Sequence, residues 1–305
     1  MTIRVTSRAA FARSLLAVLF AFGASTAMAK NPSPLMSSFA MRDAAGHRQI
    51  PLYGVPDDVQ PLSESERCVP GLRVCFSLTT PDGVDQRVLN VRDLDRRTDT
   101  GAPVVDAVPL QSDAHENAVV HLWSLAVLPP AKAGDSARNG NDSHWVMIGM
   151  VATDSAMTSG GFENVSRLWL YRVGWAGDGK PYAVQMLSVP STAHRSTKVC
   201  FDAQDEKDRA GACHDELEYE AALILDPANA SGLPVFDYRA FAGTYPNDIP
   251  LRSDEKSSSR LTSADLVRRQ DRDCTYRRKV AFNPATARYE FDRPGPACED
   301  YLSSP

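Results

Sequence analysis

The sequence lacks several features that would point directly to a function. Beyond residue 29 it has no apolar run of the roughly 20 residues that span a bilayer, so no further membrane helix is predicted. It also lacks an excess of basic residues, with 33 lysines and arginines against 38 aspartates and glutamates. Nucleic-acid binding needs a concentrated basic surface, so the composition argues against nucleic acid as a partner.

Motifs of common enzyme chemistry are absent as well. The sequence contains no Gly-x-Ser-x-Gly elbow, no His-Glu-x-x-His pair and no glycine-rich phosphate loop after a strand. No catalytic residue is predicted, and the interpretation leans towards a protein that is not an enzyme. The paired carboxylates of a glycoside hydrolase are defined by position in space, so the sequence leaves that alternative open.

The N-terminus has the features of a cleavable secretion signal. Arg4, Arg8 and Arg13 give a positive start, and an apolar run follows. Ala27 and Ala29 then occupy the positions that a signal peptidase accepts, which predicts residues 1–29 as a signal peptide and a periplasmic or secreted protein. Because cleavage removes three arginines and no acid, the formal net charge moves from −5 to −8.

The six cysteines all follow the predicted cleavage point. An even number of cysteines in an oxidising compartment predicts disulfides, although six cysteines allow 15 connectivities. None of the local couples has the short spacing of a zinc knuckle, which argues against a zinc site. Nearest-neighbour bonding predicts three disulfides: Cys68 with Cys75, Cys200 with Cys213, and Cys274 with Cys298.

The periodicity of the sequence predicts a mainly β protein with antiparallel sheets. In the run 216–225, Leu217 and Tyr219 share one face while Glu216 and Glu218 share the other, which is typical of a half-buried strand. In the run 168–171 both faces are apolar, which favours a strand that is buried on both sides.

Composition divides the rest of the chain into three parts. Residues 30–65 are rich in proline, serine and aspartate and are predicted to be an extended lead-in. Two β regions follow, 66–190 and 196–305, with a shift in composition between them. These regions are expected to form either a sandwich-like arrangement or two packed β subdomains.

One short helix is expected near residues 263–270. Thr262-Ser-Ala-Asp265 has the form of an N-terminal cap with an acidic residue three positions on. The predicted fold is therefore mainly β with a single short helix.

The acidic segment after Cys200 is a candidate calcium site. Calcium prefers several carboxylates from a short loop, and Asp202, Asp205 and Asp208 supply them. The spacing does not follow the EF-hand, so a charged loop closed by a disulfide is the competing interpretation. Apart from calcium, no cofactor is predicted.

Two weaker features complete the set of candidates. His214, Asp215 and Glu216 beside Cys213 have the residue types of a metal site, or of a solvated turn after a disulfide. The four tryptophans are expected to be core residues, with a sugar-stacking platform as the alternative. They are Trp123, Trp145, Trp169 and Trp175.

These observations predict an exported envelope protein that recognises a protein or glycan partner without catalysis. The alternative is a periplasmic hydrolase whose carboxylates are assembled in space around a glycan substrate. A deep pocket with converging acids or histidines would favour the hydrolase.

Overall fold

The computed structural model describes residues 41–57, 59–80, 87–110, 118–130, 145–247, 249 and 260–303. The predicted signal peptide, with Ala27 and Ala29, lies outside these residues. The described residues form fourteen strands and two short helices. In this part of the chain, no helix is long and apolar enough to cross a membrane.

The elements have the following bounds. The strands are β1 (Met41–Arg42), β2 (Arg48–Pro51), β3 (Arg67–Val69), β4 (Val74–Thr79), β5 (Val88–Arg97), β6 (Pro103–Pro109), β7 (Val119–Leu128), β8 (Trp145–Thr158), β9 (Gly161–Trp175), β10 (Pro181–Lys198), β11 (His214–Leu225), β12 (Phe236–Tyr245), β13 (Arg269–Asn283) and β14 (Arg288–Phe291). The helices are α1 (Ala203–Asp208) and α2 (Glu299–Leu302).

Ten of these strands form one long antiparallel sheet. Its order is β1-β2-β7-β8-β9-β10-β11-β12-β13-β14, so that from β7 onward each strand pairs with the next one in the chain. The remaining strands, β3 to β6, form a separate four-stranded antiparallel sheet. The prediction of a mainly β protein with antiparallel sheets is therefore confirmed, and the small sheet is an insertion between β2 and β7 of the long one.

The centre of the long sheet is buried on both faces. In β9, Leu168 and Leu170 belong to one hydrophobic core, while Trp169 and Tyr171 belong to a second core shared with the small sheet. Successive side chains of a strand point to opposite faces, so an uninterrupted apolar run can serve two cores at once. The expectation of a doubly buried strand at 168–171 is confirmed.

The long sheet bends so that strands far apart in its order meet. Gln49 in β2 donates from Nε2 to the Leu223 carbonyl over 2.9 Å and accepts from the Leu225 amide over 2.8 Å. Gln49 is buried, so these bonds satisfy an amide that would otherwise be costly to bury. The bend helps to enclose a core that includes Tyr219 and Phe236.

Three disulfides staple the structure with the expected pairing. The first joins directly opposite residues of β3 and β4, the second closes the loop that carries α1, and the third ties β13 to the segment before α2. In the chain-entropy model each bridge adds about 2–4 kcal/mol to the free energy of unfolding. The pairs are Cys68–Cys75, Cys200–Cys213 and Cys274–Cys298.

The prediction of a helix near residues 263–270 is wrong. The predicted cap does form, because Thr262 donates to the Asp265 carboxylate from its amide over 2.8 Å and from its hydroxyl over 2.7 Å. Only a turn follows, and β13 begins at Arg269. A cap stabilises only a first helical turn, and here the next residues bond to β12 instead.

The boundary between the two β regions, placed by composition, falls within the long sheet. The composition shift at 190–196 falls inside β10, and strands from both sides of it belong to the long sheet. Part of the lead-in also enters that sheet, as β1 and β2, and contributes the buried residues His47 and Gln49.

Candidate functional site

One face of the long sheet carries apolar, acidic and basic side chains close together, on strands β8 to β12 and just before β13. Leu217 and Tyr219 of β11 face the core, so alternate residues of that strand and their cross-strand partners face outward. We call this surface the outer band. Its members are Met157, Phe162, His194, Glu216, Glu218, Phe241 and Arg268.

Three side chains of the types that ligate metals converge within the outer band. His194 of β10 lies directly opposite Glu218 of β11, and Glu216 is two residues along on the same face. One donor atom from each of the three residues lies within 4.8 Å of the others, and all three side chains are half-buried. We call them the histidine–glutamate cluster. Among the described residues, it is the group of three or more histidines, cysteines or acids whose donor atoms lie close enough to hold a metal ion.

The ring of Phe162 holds the imidazole of His194. The two ring centroids are 4.9 Å apart and the planes meet at 75°, an edge-to-face contact. Such contacts contribute about 0.5–1.5 kcal/mol beyond the buried area, so the packing restricts the orientation of the imidazole.

Arg268 provides the cation that contacts the two glutamates. Its guanidinium lies 3.2 Å from a carboxylate oxygen of Glu216 and also donates to Glu218. The Arg268 side chain is 54 % exposed. Ion pairs this exposed contribute about 1 kcal/mol or less to the free energy of unfolding, so another cation could replace Arg268 beside the glutamates at small cost.

A second charged cluster lies on β12 and β13 and is built around a buried acid. Asp237 is 1 % exposed and contacts Arg239, Arg277 and Lys279, the last over 2.8 Å. Burial alone would raise the pKa of Asp237, but hydrogen bonds from Arg277 and Lys279 outweigh it, and the pKa lies below the ordinary value. We call these four residues the Asp237 cluster.

A third polar group, at the turn between β1 and β2, is fully buried. His47 Nδ1 lies 2.8 Å from Asp43 Oδ2, and Asn229 donates to the same oxygen over 2.8 Å. Burial acts to raise the pKa of Asp43, yet the bonds from Asn229 and His47 lower it overall. Because both partners are buried, this pair fastens the β1–β2 turn to the turn after β11 and is out of reach of a substrate.

Of the residues of the predicted calcium site, Asp202 caps α1, and Asp205 and Asp208 lie within that helix. Asp202 accepts from the amides of Gln204 and Asp205, and Asp205 accepts from the amide of Phe201. Asp208 accepts from the Gln204 side chain over 3.0 Å. The three carboxylates are thus tied to α1 and its preceding loop, and the calcium site stays a prediction.

The candidate set at 214–216 is divided by the alternation of β11. His214 is exposed, whereas Asp215 is buried and paired with Arg209 on the other side of the strand. Glu216 points away from Asp215 and joins the histidine–glutamate cluster instead.

The sequence pattern did not predict the partnership of His194 with the glutamates. His194 and Glu218 are far apart in the chain, and no motif spacing connects them. The signal that was present is the alternation of β11, which placed Glu216 and Glu218 on one face; the register with β10 was missing.

Two grooves of the described surface are lined by residues outside this cluster. One open groove lies between β10 and β14 and has Arg288 and Glu290 among its lining residues. Another lies along residues 54–67 and is lined by Asp57 and Glu64 among others. The histidine–glutamate cluster lies instead on an open sheet face.

The comparisons with known proteins identify no relative. No protein-family model, no curated protein and no solved structure matches this chain.

Proposed function

We propose that this chain is an exported envelope protein that recognises a protein partner through the outer band, without catalysis. The observation that carries the proposal is an exposed apolar pair. Met157 and Phe162 are direct cross-strand partners, and they are 90 % and 38 % exposed. A pair of this kind is costly to leave in water and gains free energy when a partner covers it.

The composition of the outer band supports a protein as the partner. Methionine, aromatic residues and arginine are enriched at protein–protein interfaces, and this band contains Met157, Phe162, Phe241 and Arg268. The surrounding charges of Glu216 and Glu218 supply a polar rim that would set the orientation of the partner.

A glycan partner has less support. Stacking on sugars needs exposed aromatic faces, which the tryptophans would have supplied. Trp169 is buried, while Trp123, Trp145 and Trp175 pack against the two cores. Trp169 is a core residue as predicted and the other three tryptophans are partly buried, which favours a protein over a glycan.

Export has support from the cysteines. All six are paired, and no described cysteine is free. Stable disulfides belong to oxidising compartments, so the pairing agrees with a periplasmic or secreted location. Together with the N-terminal signal pattern, this supports a partner in the envelope or outside the cell.

The hydrolase alternative is favoured by one observation, the convergence of two glutamates and a histidine. Glycoside hydrolysis needs two carboxyl groups on either side of a bound sugar. Glu216 and Glu218 lie side by side on an open face and share Arg268, which is a poor arrangement for enclosing a substrate. Turnover of an envelope glycan that depends on Glu218 would replace the recognition proposal.

The recognition proposal is tested by capture of envelope proteins on the immobilised chain. We expect specific partners on the natural chain and a loss of most of the capture on Met157→Ser/Phe162→Ser. The matched control is Val105→Ser, because Val105 is an exposed apolar residue of β6 on the small sheet. Equal capture by the natural chain and the double variant would overturn the proposal.

A further inference from the structure

We infer that His194, Glu216 and Glu218 form a binding site for a divalent transition-metal ion of the Zn²⁺ class, with Arg268 as the group that the metal displaces. This inference goes beyond the partner recognition proposed above and does not depend on it. It starts from the convergence of three different donor groups within 4.8 Å.

The pairing of β10 with β11 fixes the positions of the three donor residues. Directly opposite residues in an antiparallel pair have Cβ atoms about 4.5–5.5 Å apart, and residues i and i+2 share a face. His194 and Glu218 have the first relation, and Glu216 and Glu218 have the second. The backbone hydrogen bonds of β10 and β11 therefore place all three donors before any metal arrives.

The spacing suits a small metal ion after modest side-chain movement. Zn²⁺ bonds of about 2.0–2.1 Å in a tetrahedral site place donor atoms about 3.3–3.4 Å apart. The present limit of 4.8 Å has to close by about 1.5 Å at most, which rotation of the glutamate side chains can supply because they are half-buried rather than fixed in the core.

The donor types select the class of metal. An imidazole nitrogen suits Zn²⁺, Cu²⁺, Ni²⁺ or Fe²⁺, whereas Ca²⁺ and Mg²⁺ take oxygen ligands. Two carboxylates balance the charge of a divalent ion, and three protein ligands leave a fourth position open to solvent or to a partner side chain. Phe162 packs edge-to-face on His194 and so restricts the imidazole before metal binding.

Arg268 provides a test of the proposed metal site, because it contacts both glutamates. Its guanidinium contacts both glutamates, so a positive charge already lies beside the position that the metal would take. The two cations compete for the same carboxylates. Removing the Arg268 charge should strengthen metal binding, whereas a purely structural ion pair would give no metal binding in any variant.

The test is calorimetric titration of Zn²⁺ into protein purified without a histidine tag from cells that express the full chain. We expect one Zn²⁺ per chain, at least tenfold weaker binding in His194→Ala and in Glu218→Gln, and tighter binding in Arg268→Gln. Even changes outside the ligand sphere weaken metal affinity about 10–100-fold, so loss of a ligand should reach at least the lower figure. Co²⁺ substitution should give the absorption bands of a tetrahedral or five-coordinate site.

Matched controls separate this site from others in the chain. Glu220→Gln changes a glutamate of the same strand and face that is outside the cluster, and His214→Ala removes an exposed histidine at the start of β11. Both variants should bind Zn²⁺ like the natural chain. The inference is overturned if the natural chain shows no saturable binding, or if His194→Ala binds as tightly as the natural chain does.

Discussion

The Asp237 cluster and the histidine–glutamate cluster lie on the same sheet and differ in the burial of their carboxylates and in the number of cations around them. In the first, one buried carboxylate contacts three cations, Arg239, Arg277 and Lys279. In the second, two half-buried carboxylates contact the exposed Arg268 and lie beside the imidazole of His194. The comparison separates an acid that is surrounded by cations of the chain from two acids that keep contact with water.

Burial explains why the two plans have different consequences. A buried carboxylate without partners is costly, so the cations around Asp237 stabilise the folded state. The glutamates of the other cluster keep contact with water, and their charges can persist without a complete set of protein partners. The first cluster is therefore suited to stability and the second to binding.

The largest effect should follow loss of the buried acid. Asp237→Asn leaves three cations without their shared carboxylate, and we expect the free energy of unfolding to fall by about 2–4 kcal/mol. Fully buried pairs lose about 3–5 kcal/mol on removal of one partner, and the cations here are partly exposed. Urea denaturation followed by circular dichroism measures the change, and a loss below about 1 kcal/mol would contradict the contrast.

A smaller effect is expected from acid. Hydrogen bonds hold the pKa of Asp237 and of Asp43 below the ordinary value, so the folded state keeps these groups ionised to lower pH than the unfolded chain does. Their stabilisation is complete above the ordinary aspartate pKa of about 3.9 and is lost as the pH falls through the folded pKa. We expect the free energy of unfolding to decline below about pH 4, as measured by urea denaturation at a series of pH values. In Asp237→Asn the decline should be shallower, and an unchanged slope would show that Asp237 does not contribute.

The smallest effect should come from Arg268. Arg268→Gln breaks an exposed ion pair, and we expect a loss of less than about 1 kcal/mol in the same urea experiment. Glu220→Gln provides the baseline for a neutral change on the same face. A loss comparable with that of Asp237→Asn would mean that Arg268 is a structural partner of the glutamates, and the contrast between the clusters would fail.

Local pattern was sufficient for much of the fold. The alternation at 216–225 predicted a strand and its buried face, and the apolar run at 168–171 predicted burial on both sides. The cysteine pairs were predictable because each pair joins segments that are near in sequence.

Local pattern failed where a local preference competed with pairing between strands. The cap at Thr262 and Asp265 exists, but the residues after it bond to β12 and extend as β13. The side-chain cap was recognised correctly, and its structural context was not. The acidic segment after Cys200 is a different case, because Asp202 caps α1 while the calcium site stays a prediction.

The sequence by itself determined which residues alternate across each strand, and so which side of β11 carries Glu216 and Glu218. This follows from the two-residue period of a strand, which needs no knowledge of neighbouring strands. Only the tertiary structure decided that His194 lies opposite Glu218 and that Arg268 contacts both glutamates. The register between strands depends on turns, bulges and burial along the whole sheet, and a shift of one residue would move His194 to the other face.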